Sequence, residues 1–181
     1  MATVLVPLAQ GCEELEAVTL IDLFRRAGVT VTVAGLEADP VTASRGVVLL
    51  PETTLDAVLD QDFDLVVLPG GLGGAQRLEA DQRIAALLRR MTEQGRYVAA
   101  ICAAPKVLVS AGLVGGREVT AYPGVLDGQP DIKLSSAAVV RDGTFITSRG
   151  PGTAMDFALS LIEILCGRAK RDEVESALQR S

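Results

Sequence analysis

The chain has 181 residues, 49% hydrophobic and 22% charged, a composition of folded globular chains rather than disordered ones. It contains no histidine, which excludes a Ser-His-Asp triad, a Cys-His dyad and imidazole-based zinc sites within the chain. Three cysteines cannot supply a four-thiolate metal site, and 17 basic against 23 acidic residues (net −6) argue against nucleic acid as a partner. An odd cysteine count without a secretory leader points to a reducing, cytoplasmic setting. No apolar run approaches the ~20 residues that a membrane span requires.

Taken in chain order, short β-rich runs alternate with longer helical patterns. Thr3 to Leu8 reads as a strand. From Glu13 to Ala27 the apolar residues recur at helical spacing, and Gly28 marks the stop. Val29 to Val33 is a second strand. Between Ala38 and Pro51 lies a mixed stretch with a turn at Ser44-Arg45-Gly46 before Val47 to Leu50. Asp64 to Leu68 is continuously apolar, as a strand covered on both faces must be. A glycine-rich turn, Pro69 to Gly74, leads to a helix from Asp81 to Gln94. Tyr97 to Ile101 is a strand, Ala103 to Ala111 a helix, and Val119 to Ala121 a short strand. Ala137 to Val140 and Thr144 to Thr147 form a hairpin around Asp142-Gly143. Thr153 to Leu165 is apolar nearly all round, and a short amphipathic tail runs from Asp172 to Leu178. The alternation implies one α/β domain over 1–181: a mostly parallel sheet with helices on both faces.

In such sheets the sites form beyond the carboxyl ends of the strands. Cys102 falls where a buried strand stops and a helix begins, among small neighbours (Ala100, Ala103, Ala104), with Pro105 suited to the first helical turn. Unpaired N–H groups there favour the thiolate, so the thiol pKa is expected to fall. The bland alternative is a buried small hydrophobe. Glycines 70, 71, 73 and 74 fit no phosphate-loop pattern, yet their N–H groups suit an oxyanion. Glu13 and Glu14 read as complements to the helix dipole. Glu16, between Leu15 and Ala17-Val18, is placed to turn toward the sheet. Cys12 and Cys166 read as structural, and Arg26 and Arg45 as surface charges unless they meet at an interface.

Glu13-Glu14-Leu15-Glu16, Leu68-Pro69-Gly70-Gly71, Ala99 to Pro105 and Thr147-Ser148-Arg149-Gly150-Pro151-Gly152-Thr153 together resemble the ThiJ/PfpI superfamily. Within it the similarity is to the branch of the Parkinsonism-associated deglycase and YajL. The resemblance implies a flavodoxin-like α/β sandwich and a homodimer without cofactor or metal. It makes Cys102 an oxidisable nucleophile and Glu16 the carboxyl hydrogen-bonded to it. It sets Gly70, Gly71 and Ala103 around an oxyanion pocket, and Arg26 and Arg45 near that pocket in the dimer, able to attract anions. Tyr122 stands where one branch has histidine and the YajL-like branch an aromatic residue. A phenol, with an ordinary pKa of about 10, is a poor base at neutral pH. The implied activity is cysteine-dependent conversion of small dicarbonyls or their glycated adducts. The alternative is a non-catalytic redox sensor or redox-activated chaperone using the same cysteine.

Overall fold

The computed structural model describes residues 1–180. In chain order the strands and helices are β1 (Thr3–Leu8), α1 (Glu14–Arg26), β2 (Thr30–Gly35), β3 (Val41–Thr42), β4 (Val48–Leu49) and β5 (Thr53–Thr54). Next come β6 (Leu65–Leu68), α2 (Leu72–Ala80), α3 (Gln82–Glu93), β7 (Tyr97–Ile101) and α4 (Pro105–Ser110). The chain closes with β8 (Glu118–Val119), β9 (Lys133–Leu134), β10 (Val139–Asp142), β11 (Phe145–Ser148), α5 (Ala154–Cys166) and α6 (Arg168–Ala177).

Seven strands form the main sheet in the order β10-β11-β7-β6-β1-β2-β5. All pairings are parallel except β10 with β11. The central strand β6 is apolar at every position because both sheet faces are covered, and the period of two divides the side chains of the inner strands between two cores. Val4, Val6 and Leu8 of β1 join one core, with Leu20 and Phe24 of α1 and Phe157 and Ile162 of α5. Leu5 joins the other, with Ile84, Leu88 and Met91 of α3 and Leu108 of α4. Val66 and Leu68 of β6 alternate with Leu65 and Val67 in the same way. The architecture is the flavodoxin-like α/β fold.

Several elements depart from the sequence reading. The glycine-rich turn ends early, since α2 already begins at Leu72. Its Gly-Gly start carries a poor helical signal, but close packing calls for small residues: a Cβ on Gly74 would lie 2.7 Å from Cys12 Cα. The strand expected at Val119 to Ala121 is β8, which pairs with β9 outside the main sheet. The tail is a full helix, α6, starting at Arg168. Among the described residues no helix is long and apolar enough to cross a membrane.

Candidate active site

The carboxyl ends of β6 and β7 bring Gly70-Gly71 and Cys102 together, and α1 delivers Glu16 beneath them. At the end of β7 the chain must leave the sheet sharply, and Cys102 does so at φ 65, a left-handed conformation that is costly for a side-chain-bearing residue. The surroundings hold it there. Cys102 N–H donates to Ser148 O at 2.9 Å, and Tyr122 N–H donates to Cys102 O at 2.8 Å. The strain presents the thiol at a tight strand-to-helix turn, 9% exposed and facing a cavity.

Gly70 cannot be any other residue. A Cβ there would lie 2.6 Å from Cys102 Cβ and 2.7 Å from Glu16 Oε2. Its N–H donates to Glu16 Oε2 at 2.7 Å. That bond corrects the expectation that Gly70 offers a donor to an oxyanion, because its N–H is already used. Gly71 (φ 82) and Ala103 direct their N–H groups to the Cys102 sulfur instead.

Glu16 is fully buried because α1 turns it inward with Ala17 and Leu20, while Leu15 and Val18 face out. Burial pushes its carboxyl up to about 7, against the hydrogen bonds from Gly70 and Cys102 that pull it down. Oε1 has no partner of good hydrogen-bond geometry among the described residues. Burial first, and then the charge of an ionised Glu16, push the Cys102 thiol up to about 12, while the Gly71 and Ala103 N–H groups pull it down. The expected simple fall in thiol pKa from the helix end therefore does not describe this site. α4 begins three residues later, at Pro105, and is only six residues long.

Cysteine and carboxyl titrate as one unit. They are like charges when both ionise, so the pair keeps one proton across neutral pH. The donor arrangement favours the state with that proton on Glu16, although burial raises the thiol as well. The sulfur faces two N–H donors, an anion's environment, whereas a buried Oε1 with no donor is costly ionised and suited to carrying hydrogen. With Glu16 protonated its charge no longer raises the thiol, and burial is opposed by the Gly71 and Ala103 N–H groups.

Outside this pair lies a cavity of about 490 Å³, lined by Glu13, Arg45, Gly71, Cys102, Ala103 and Tyr122 among others. Ser44 and the β3–β4 hairpin form one wall. Ser44 Oγ lies 2.6 Å from Glu13 Oε2 and 2.9 Å from Glu14 Oε2, and Arg45 N–H donates to Glu14 Oε1 at 2.8 Å. Glu13 and Glu14 thus fasten the hairpin to the start of α1, a role the sequence reading missed. Ser44 sits in the turn between β3 and β4 and carries no local signal of it, because its partners lie 31 and 30 residues away. Tyr122 is 51% exposed at the cavity mouth. Arg26 does not reach the cavity. It lies at the end of α1, paired with Asp22 at 2.7 Å one turn back. Cys12 is buried with its thiol pushed up to about 12 by burial, and Cys166 is exposed at the end of α5. No cluster of potential metal ligands occurs among the described residues.

Residues 2–164 match the DJ-1/PfpI family. The chain belongs to the DJ-1/PfpI family. It is 45% identical over 180 residues to Drosophila melanogaster protein dj-1beta, covering 96% of this chain and 95% of the relative. The crystal structure of Drosophila melanogaster DJ-1beta superposes with a TM-score of 0.96, covering 99% of this chain and 98% of that one. A Caenorhabditis elegans relative named glutathione-independent glyoxalase DJR-1.2 is 35% identical over 175 residues, covering 96% of this chain and 92% of its own. In this DJ-1/PfpI chain, which has no histidine, Glu16 is the carboxyl hydrogen-bonded to Cys102.

Proposed function

We propose that this chain is a cofactor-independent, cysteine-dependent enzyme that converts small reactive dicarbonyls, and by extension their glycated adducts, in a stress-protective role. The observation that carries the reading is the hydrogen-bonded Cys102–Glu16 pair, opening on a cavity beside the Gly71 and Ala103 N–H groups. The glyoxalase name of the Caenorhabditis elegans relative supports it.

With methylglyoxal, the Cys102 thiolate adds to the aldehyde carbon and the carbonyl electron pair moves to oxygen. The alkoxide forms beside the Gly71 and Ala103 N–H groups and takes the Glu16 proton, giving a hemithioacetal. Ionised Glu16 then removes the C1 proton and returns it to C2 while the C1 hydroxyl proton passes to the C2 oxygen, so C1 is oxidised and C2 reduced within one molecule. Water hydrolyses the resulting thioester, giving lactate, with one of its protons restored to the Cys102–Glu16 pair and the other released to solvent. No external oxidant or reductant enters. Arg45 at the cavity wall attracts anionic groups.

The reading includes a cytoplasmic homodimer. Leu15 and Val18 on one face of α1, with Val48 and Leu50 beside the hairpin, leave an apolar surface at 51%, 47%, 59% and 76% exposure, which a second copy would cover. The test is lactate formation from methylglyoxal, counted per site. Many equivalents from the wild type and none from Cys102→Ala support the enzyme. Consumption that stops after one event per Cys102 would favour the sensor or chaperone reading instead.

A further inference from the structure

The motif Ser148-Arg149-Gly150-Pro151 forms the end of β11 and the loop after it, yet the reaction above uses none of its side chains. β7 and β11 run in parallel with Ile101 opposite Ser148, so the next residues, Cys102 and Arg149, emerge side by side. The backbone paths there are about one strand spacing apart, roughly 5 Å.

Two further cavities lie on this side. One, of about 250 Å³, shares Tyr122 and Pro151 with the Cys102 cavity and adds Arg149. The other, of about 380 Å³, shares Tyr122, Pro123 and Arg149 with it and reaches Ser136 and Asp127. The three cavities neighbour one another through these shared residues, with Cys102 lining the first and Arg149 the other two. The ring rests against Gly150, where an added Cβ would lie 3.3 Å from Tyr122 Cδ2.

Arg149 is half-buried, and its guanidinium has a single hydrogen bond, from Nη1 to Ser136 O at 3.2 Å. It makes no ion pair with any described residue, and Asp127 on the far wall does not approach it within ion-pair distance. Arg83, Arg96, Arg117 and Arg171 each hold a carboxylate, whereas Arg149, like Arg45 and Arg89, holds none. A partly desolvated guanidinium with most of its donor fork unused is a site for a planar anion.

We propose that Arg149 binds the anionic far end of an extended substrate, with the aldehyde at Cys102 and the intervening carbons against the Tyr122 ring. This rests on the reading of Cys102 as nucleophile. It names the substrate class as α-oxoaldehydes bearing a distal carboxylate, rather than methylglyoxal alone.

The test uses 4,5-dioxopentanoate and its one-carbon-longer homologue, each beside its methyl ester, so that charge changes at nearly constant size. The readouts are kcat/KM and, independently of turnover, slowing of Cys102 alkylation by iodoacetamide. For at least one length, the wild type should favour the acid over the ester by about tenfold, an ordinary worth for a charged hydrogen bond. The preference should shrink with added salt, vanish in Arg149→Gln and return in part in Arg149→Lys. Equal handling of acid and ester by the wild type at both lengths would overturn the proposal. So would a preference that survives Arg149→Gln, or one lost only in Arg45→Gln. Absence of turnover with every aldehyde, with the acid still protecting Cys102 through Arg149, would overturn the enzymatic reading and leave the anion subsite standing.

Discussion

Glu16 is held against its own solvation. Its carboxyl moves from an ordinary 4.5 in the unfolded chain to about 7 in the fold. The sign follows from proton counting. Below about 4.5 both states hold the proton and stability does not depend on it. Between there and about 7 the unfolded chain releases the proton while the folded one retains it, so stability falls with rising pH. A shift of this size corresponds to as much as about 3 kcal/mol. Glu16→Gln keeps an oxygen for the Gly70 N–H and removes the ionisable group. Its thermal midpoint is therefore expected above that of the wild type at neutral pH, with the gain shrinking in acid, measured by calorimetry across that range. Lactate formation should be lost, since an amide cannot return a proton. A midpoint below the wild type at neutral pH would show that the buried charge is not a burden. Position 16 was legible because a glutamate amid Leu15, Ala17 and Val18 breaks the pattern of a solvated face. The use of the Gly70 N–H was not, because it depends on a contact 54 residues away.

At the level of elements, the site depends on how the β3–β4 hairpin is fastened. Glu14 accepts from Ser44 and from the Arg45 and Val47 N–H groups, and these bonds hold its carboxyl below the ordinary range although burial opposes them. A depressed carboxyl contributes stability above its unfolded pKa and loses it as pH falls through the folded value. Glu14→Gln should therefore speed amide exchange at Arg45 and Val47 and leave that of β1 and β6 unchanged. Equal exchange in variant and wild type would mean the hairpin is held by its backbone bonds alone, Ala43 N–H to Val47 O and Ser44 N–H to Cys12 O. The longer strands were readable from local pattern, since apolar runs of four to six residues with β-branched side chains say where a two-sided sheet lies, whereas β5 and β9, two residues each, carry no such run. α2 was not readable, because Gly74 in its first turn is required by the Cys12 backbone rather than by helix propensity. The Arg26–Asp22 pair was visible in the sequence at its four-residue spacing.

For the whole molecule, the apolar surface made by Leu15, Val18, Val48 and Leu50 adjoins the hairpin that walls the cavity. A second copy seated there would bury that surface and stiffen the wall carrying Arg45. Sedimentation equilibrium at micromolar concentration should give twice 18.9 kDa. Val48→Glu together with Leu50→Glu should return the single-chain mass, because each buried carboxylate would need a partner. A wild type at 18.9 kDa would contradict the dimer. The α/β class followed from the alternation of strands and helices, whereas the apolar patch did not show in sequence. Val47 to Leu50 reads there as an apolar run after a hairpin turn, and only the fold leaves Val48 and Leu50 exposed outside the main sheet.

The central claim is that Cys102 and Glu16 share one proton and that Glu16 holds it. Ultraviolet thiolate absorbance against pH tests it directly, in a chain with Cys12 and Cys166 replaced by alanine. The account predicts thiolate at neutral pH in that chain and in Glu16→Gln, whose amide still donates toward the sulfur. It predicts loss of the neutral-pH thiolate in Glu16→Leu, which leaves no donor. Thiolate that forms only in strong alkali, near about 12, in all three proteins would place the proton on sulfur and contradict the account.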